Sequence, residues 1–263
     1  GTLDPFATGV LLITVGQATR LSEYTLQLPK TYTATIHLGA TSTTDDKMGE
    51  ITEVKAPPKP TKEDIETTLA SYIGTIQQIP PAYAAIKVKG KKLYEYAREG
   101  KAVTVPPRVV HISNITLNSY EFPLLTISVT CSSGTYIRSL ARDIGKDLGT
   151  GAYVQELRRG AIGEFNEQKA IVLETAFLTA WQKHLQPASD LIPYLPSIYL
   201  TAPNVAKFQS GGSVPVEHSA FTSPQPPDTT IPIAVFASKN DLIGIGQYDA
   251  STSTLSPQKV LTI

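Results

Sequence analysis

Leu125-Thr126-Ile127-Ser128-Val129-Thr130-Cys131 runs through Ser132-Ser133-Gly134 into Thr135-Tyr136-Ile137-Arg138-Ser139-Leu140-Ala141-Arg142-Asp143-Ile144-Gly145-Lys146-Asp147-Leu148. In the first seven residues Leu125, Ile127, Val129 and Cys131 alternate with polar neighbours, the period-two pattern of a half-buried strand. After the turn, Ile137, Leu140, Ala141, Ile144 and Leu148 recur at helical spacing. A strand therefore feeds a helix through a three-residue turn, and each has one apolar side to bury.

Upstream, Lys30 to Gly39 alternates in the same way. Tyr32, Ala34, Ile36 and Leu38 share one face and Thr31, Thr33, Thr35 and His37 the other. Thr41 to Gly49 is polar, carries Asp45 and Asp46, and reads as a loop. Thr61 followed by Asp64 resembles a capping box, with Ile65, Leu69 and Ile73 at helical spacing behind it. Pro80-Pro81 opens a basic stretch in which Leu93 to Glu99 reads as a short helix. Strands and helices interleave without a strand–helix–strand rhythm, so the expected class is α+β, with a mixed, mostly antiparallel central sheet flanked by helices.

Pro187, Pro193, Pro196 and Pro203 mark a boundary near residue 193. The expected division is 1–192 for the larger domain and 193–263 for a small C-terminal β-barrel-like module. In the latter, Ile231–Ala237 and Leu242–Tyr248 flank a hairpin turn at Ser238-Lys239-Asn240-Asp241. Ser223–Asp228, with three prolines, reads as a mobile loop.

The 263 residues, 41% hydrophobic and 17% charged, exclude a disordered chain. No apolar run approaches the roughly 18–20 residues of a membrane span, and no signal peptide is visible. One cysteine, Cys131, excludes a disulfide scaffold, and His37, His111, His184 and His218 show no metal-ligand spacing. A reducing, cytoplasmic setting is expected. Net charge is zero, but residues 1–160 hold 18 basic against 15 acidic side chains, and residues 161–263 hold five against eight. Between Lys87 and Arg108 lie Lys87, Lys89, Lys91, Lys92, Arg98, Lys101 and Arg108 against Glu95 and Glu99. Such a stripe binds phosphates or is a solvated loop.

Four side chains stand out chemically. Pro5 holds Asp4 extended or in a turn, so Asp4 either caps the turn into Ala7–Leu12 or presents an acid on a rigid loop. Arg138 falls in the first turn of its helix, where the macrodipole disfavours a cation by about 0.3–1 kcal/mol. A nearby carboxylate or phosphate would compensate; the alternative is an exposed arginine that tolerates the penalty. Tyr32 and Tyr136 are core tyrosines, or aromatic platforms that stack on a base. An acid, an arginine and two tyrosines without metal ligands suit chemistry on a flipped base.

Together the segments resemble the bacterial tRNA pseudouridine synthase TruB family. The matching stretches are Gly1-Thr2-Leu3-Asp4-Pro5-Phe6-Ala7-Thr8-Gly9-Val10-Leu11, Lys30-Thr31-Tyr32 through Leu38-Gly39, Ile79-Pro80-Pro81-Ala82-Tyr83-Ala84-Ala85-Ile86-Lys87, Gly90 to Arg98, Gly134-Thr135-Tyr136-Ile137-Arg138 and Leu157-Arg158-Arg159. Their order and spacing span nearly the whole chain through residue 165. The resemblance implies the pseudouridine synthase fold with a PUA-type C-terminal module, and isomerisation of uridine to pseudouridine at position 55 in the T arm of tRNA. It implies Asp4 as nucleophile on the uridine, Tyr32 as the residue that stacks on the flipped base and moves a proton, and Arg138 as partner of the catalytic carboxylate. It further implies Tyr136 and Leu157 as base-pocket residues and Asp46 as an acid near the flipped nucleotide. Lys91 and Lys92, with Arg142 and Arg158, are the expected phosphate contacts. Neither cofactor nor metal is implied, and the chain is expected to act as a monomer on tRNA. The family's histidine upstream of Gly-Thr-Leu-Asp-Pro, and the strand before it, are absent from the sequence, which begins at Gly1. Two rivals predict other outcomes. A non-catalytic RNA-binding or tRNA-folding protein would not need Asp4. A carboxylate glycosidase would need a second acid near it, with Asp45 and Asp46 as candidates.

Overall fold

The computed structural model describes residues 2–84, 86–88, 90–99, 103, 105–172, 174, 181–217, 221–222 and 231–261, with backbone alone at Lys87, Val88, Lys92, Tyr94, Ala97 and Arg98. Of the basic stripe, Lys89 and Lys101 lie outside these residues, as does the proline-rich loop at 223–228.

The chain forms two compact units. The first takes residues 1–12 and 27–170, the second residues 13–26 and 171–263. Residue 193 thus falls within the second unit, and the short segment 13–26 joins that unit from far away in sequence.

In the first unit the strands are β1 (Thr8–Gly9), β2 (Lys30–Leu38), β3 (Ala40–Ser42), β4 (Ile51–Glu53), β5 (Gly74–Gln78), β6 (Lys87–Val88), β7 (Lys91–Lys92), β8 (Arg108–Glu121), β9 (Leu124–Cys131), β10 (Ala152–Ile162) and β11 (Phe165–Asn166). After α1 (Ser22–Thr25) of the other unit, the helices are α2 (Lys62–Ser71), α3 (Leu93–Arg98) and α4 (Ile137–Asp147). The main sheet runs β1-β10-β2-β9-β8-β5, with β11 also paired to β10. β1 lies parallel to β10, and every other pairing in it is antiparallel. This is the mixed, mostly antiparallel sheet expected from the alternating strands.

One face of that sheet is apolar. Ala34, Ile36 and Leu38 of β2 are buried with Leu125, Ile127, Val129 and Cys131 of β9, and Ile137, Leu140, Ala141 and Ile144 of α4 cover them. Thr31 and Thr35 face the other way and meet Thr130 and Thr126 of β9. Helix α2 begins with a true capping box: Thr61 Oγ1 accepts from Asp64 N at 3.2 Å and the Asp64 carboxylate accepts from Thr61 N at 2.8 Å. It buries Ile65 and Leu69 but ends at Ser71, so Ile73, expected on its apolar face, lies beyond it and is exposed. Gly74 follows at φ 106°, a conformation that stops the helix and starts β5.

The second unit holds β12 (Ser197–Tyr199), α5 (Ala202–Gln209), β13 (Val214–Pro215), β14 (Pro232–Ser238), β15 (Asp241–Asp249) and β16 (Thr254–Val260). Its five-stranded sheet runs β12-β14-β15-β16-β13 around a core of Phe208, Ile198, Val235, Ile233 and Leu255. Ser238 pairs with Asp241, which leaves Lys239-Asn240 as the hairpin turn expected there. Among the described residues no helix is long and apolar enough to cross a membrane.

Candidate active site

Asp4 lies on the loop before β1, where its backbone and its carboxylate have different partners. Its carbonyl oxygen closes a turn by accepting from Ala7 N at 2.9 Å. Its carboxylate is left to project elsewhere, and it meets Arg138. Arg138 Nε lies 2.9 Å from Asp4 Oδ2, and Nη2 donates to Oδ1 at 3.1 Å. The guanidinium, 5% exposed, also donates through Nη1 to Asp46 Oδ2 at 3.2 Å and to the carbonyl of Thr44 at 3.3 Å. A cation in the first turn of α4 is therefore compensated twice, by carboxylates from two distant loops.

The loop carrying Asp46 spans the β3–β4 hairpin and is pinned to β10. Lys47 N donates to Val154 O and Val154 N to Asp45 O, each at 3.0 Å. Asp45 turns the chain at φ 58°, a conformation that Asp tolerates better than most residues. Asp46 is 4% exposed, and its oxygens are occupied: Oδ1 accepts from Thr44 Oγ1 at 2.6 Å and from Met48 N at 2.9 Å, and Oδ2 faces Arg138. Its Oδ2 thus braces the side of the guanidinium away from Asp4. Asp45 is held by Arg142 at 3.0 Å, yet burial pushes its carboxyl above the usual range despite that cation.

Tyr32 heads the apolar face of β2, half-buried, directly opposite Val129 of β9 and Arg159 of β10. Leu157, opposite Ala34, shares its face and is almost fully buried in the core. Burial raises the phenol of Tyr32, a hydrogen bond and the charge of Arg159 oppose the rise, and the charge of Asp4 adds to it. Tyr136 is likewise raised by burial, opposed by Arg108 and Arg138, with Asp4 again adding. Asp4 thus lies within electrostatic reach of both tyrosines, and Arg108, at the end of the basic stripe, within reach of Tyr136.

The structure brings together Asp4, Tyr32, Asp46, Tyr136, Arg138 and Leu157. The lysines lie apart. Lys91 sits on the β6–β7 hairpin, paired with Glu99 and with its ammonium 5.0 Å from the centre of the Tyr96 ring. The Lys92 side chain is outside the described residues. Arg142 and Arg158, expected on phosphates, are both engaged within the protein. Arg142 binds Asp45, Asp143 and the carbonyl of Ile79. Arg158 binds Glu167 at 2.7 Å and Thr8 at 3.2 Å.

Two residues of the site had no role in the sequence reading. Gln78, buried at the end of β5, clamps the backbone of Tyr136: its Nε2 donates to Tyr136 O at 3.0 Å and its Oε1 accepts from Tyr136 N at 2.8 Å. Arg159, 2% exposed, donates through Nε to the carbonyl of Val10 at 2.8 Å. A buried glutamine before Pro80-Pro81 and a second arginine after Leu157 were the visible signals. Neither discloses its partner, because both bind backbone atoms.

Family models match the chain along most of its length. The N-terminal domain of the TruB family pseudouridylate synthases matches residues 1–137, and the C-terminal domain of tRNA pseudouridylate synthase B matches residues 138–195. The tRNA pseudouridine synthase B of Cupriavidus metallidurans is 37% identical over 100% of this chain and 84% of its own. That of Xanthomonas oryzae is 38% identical over 99% and 83%. Among solved structures, one described as a Cbf5–Nop10–Gar1 complex aligns with a TM-score of 0.72 at 24% identity, over 100% of this chain and 74% of that one. An H/ACA ribonucleoprotein bound to a substrate RNA containing 2′-deoxyuridine aligns at 0.71 and 21%, over 100% and 75%. These two likenesses establish a common fold. With the family models spanning residues 1–195 and relatives alike over the full length, the chain belongs to the TruB family of pseudouridylate synthases.

Proposed function

We propose that this chain isomerises uridine to pseudouridine in tRNA, at position 55 of the T arm, as a cytoplasmic monomer. The observation that carries the reading is the Asp4 carboxylate, one-third exposed and gripped by the buried Arg138 guanidinium at 2.9 Å. Duplex RNA hides its base edges in a deep groove, so the target is a loop uridine that must be flipped out, at a cost of a few kcal/mol. Asp4, held by Arg138, attacks the uridine. The C1′–N1 bond breaks, the uracil turns within the pocket, a C1′–C5 bond forms as the bond to the Asp4 carboxylate is released, and the proton lost from C5 is balanced by one gained at N1. Tyr32 is the platform and the proton-moving group. Tyr136 and Leu157 hold the detached base, and an apolar wall such as Leu157 keeps out the water that would hydrolyse the intermediate. Asp46 fixes Arg138 rather than touching the base. The basic hairpin with Lys91 and Lys92, and the C-terminal strands, supply RNA contacts that offset the flipping cost.

The glycosidase alternative needs a second acid with a free carboxyl. Asp46 does not serve, since Thr44, Met48 and Arg138 occupy its oxygens. Asp4→Asn is expected to abolish pseudouridine formation on a T-arm stem-loop while keeping RNA affinity within about twofold, because phosphate contacts dominate affinity. Tritium release from [5-³H]uridine-labelled RNA measures the first and filter binding the second. Undiminished release by the Asn variant would overturn the assignment.

A further inference from the structure

β10 carries two adjacent arginines that point to opposite sides of the sheet. Arg158 is exposed and pairs with Glu167. Arg159 is buried and turned to the face that bears Tyr32 and Leu157. On the backbone it meets β1: it pairs with Gly9, and its carbonyl accepts from Val10 N at 2.7 Å. The approach is so close that a Cβ at Gly9 would fall 2.8 Å from Arg159 N and nearer still to its carbonyl oxygen. The guanidinium repeats this contact from the side. Nε donates to Val10 O at 2.8 Å, and Nη1 reaches Thr2 O at 3.5 Å. Arg159 therefore touches the chain on both sides of Asp4. Directly across the β2–β10 ladder it stands opposite Tyr32, near enough for its charge and hydrogen-bonding capacity to oppose the burial that raises the phenol.

We propose that Arg159 is a positioning residue for the isomerisation, one buried guanidinium holding the Tyr32 hydroxyl and the Asp4 loop in fixed relation to each other. This rests on the pseudouridine synthase reading above. The chemistry follows from donor count. A guanidinium only donates, so it can meet the phenol only at its oxygen, which leaves the phenolic hydrogen free for another partner. The proton-moving group is thereby oriented, and its distance from the nucleophile's loop is set by the same side chain. Tyr32 and Asp4 come from elements 28 residues apart that do not pair with each other. β10 lies between β1 and β2, so it is the one strand that can tie both.

The test compares wild type, Arg159→Met and Arg159→Lys in the full chain on a T-arm stem-loop. Single-turnover pseudouridine formation is expected to fall about 10–100-fold in Met, the scale of a misplaced reacting group, while stem-loop affinity stays within about twofold. Lys keeps the charge but not the fork, and should recover part of the rate. The second readout is fluorine NMR of protein labelled with 3-fluorotyrosine, in which the Tyr32 resonance is assigned by its loss in Tyr32→Phe. Removing the cation should raise the titration midpoint of that resonance by at least about half a pH unit in Met. A wild-type rate, an unmoved midpoint, or a loss that lies wholly in RNA affinity overturns the proposal. If Met does not fold, Lys decides by the same two readouts. Absence of product with the wild-type chain would instead defeat the isomerase reading, and the fluorine titration would still test the Arg159–Tyr32 contact.

Discussion

Arg138 spends its donors on Asp4, Asp46 and two backbone carbonyls, those of Thr44 and Tyr83. In a setting this buried, removing one partner of a charge pair leaves the other uncompensated, which commonly costs about 3–5 kcal/mol. Asp46→Asn is the informative change. It keeps the shape and an acceptor oxygen but deletes one of two anions, so the guanidinium is drawn toward Asp4 alone. Pseudouridine formation is expected to drop by at least about tenfold with a lowered melting temperature, checked by single-turnover assay and thermal unfolding; equal rates would mean that Asp46 does not set Arg138. A cation in the first turn of a helix works against the helix dipole, which pointed to some anion beside Arg138; that the anion is the Asp4 carboxylate was implied only by the family resemblance. The place of Asp46 was not legible, since nothing local says that an acid in a polar loop turns inward. Gln78 and Arg159 were equally silent, because a side chain that binds distant carbonyls leaves no pattern of residue types.

Helix α4 carries Arg138 to its place by lying close against the start of β10. The approach is made at Gly145, where a Cβ would sit 2.5 Å from Ala152 N and 2.6 Å from the carbonyl carbon of Gly151. Gly145 has ordinary helical backbone, so alanine there gains helix propensity and loses only through collision. Overpacking of this kind costs about 1–3 kcal/mol, more than the roughly 1 kcal/mol gained from the better helix former. Gly145→Ala should therefore lower the melting temperature and, by tilting α4, reduce isomerisation; a stabilised, fully active variant would refute the packing argument. Strand periodicity on β2 and β9, the α2 cap and the β14–β15 hairpin were all readable from spacing. The end of α2 was not. Ile73 continues the helical period, but Gly74 ends the helix first, and a count of apolar spacings does not weigh a backbone conformation.

At the scale of the molecule, the second unit is discontinuous. Segment 13–26 buries Leu21 and Tyr24 among residues near the C-terminus. Tyr194 donates its hydroxyl to Tyr24 O at 2.7 Å, and Lys259 donates to Arg20 O at 2.6 Å, pairs with Glu23, and lies 5.3 Å from the centre of the Tyr24 ring. Prolines point to a linker near residue 193, but no local signal says that an early segment belongs with the end of the chain. A chain cut after Ala170 should consequently aggregate, its early apolar residues bared. The same cut with 13–26 replaced by a short Gly/Ser linker should recover soluble monomer by size-exclusion chromatography. Equal behaviour of the two would show that the early segment is indifferent to its partners.

The same layout sets a schedule during synthesis. Residues 13–26 leave the ribosome well before their partners in residues 171–263. At ordinary elongation rates the gap is on the order of ten seconds. Throughout that wait Leu21 and Tyr24 lack the neighbours that bury them in the finished fold, so their apolar surface stays bared to water until the last strands arrive.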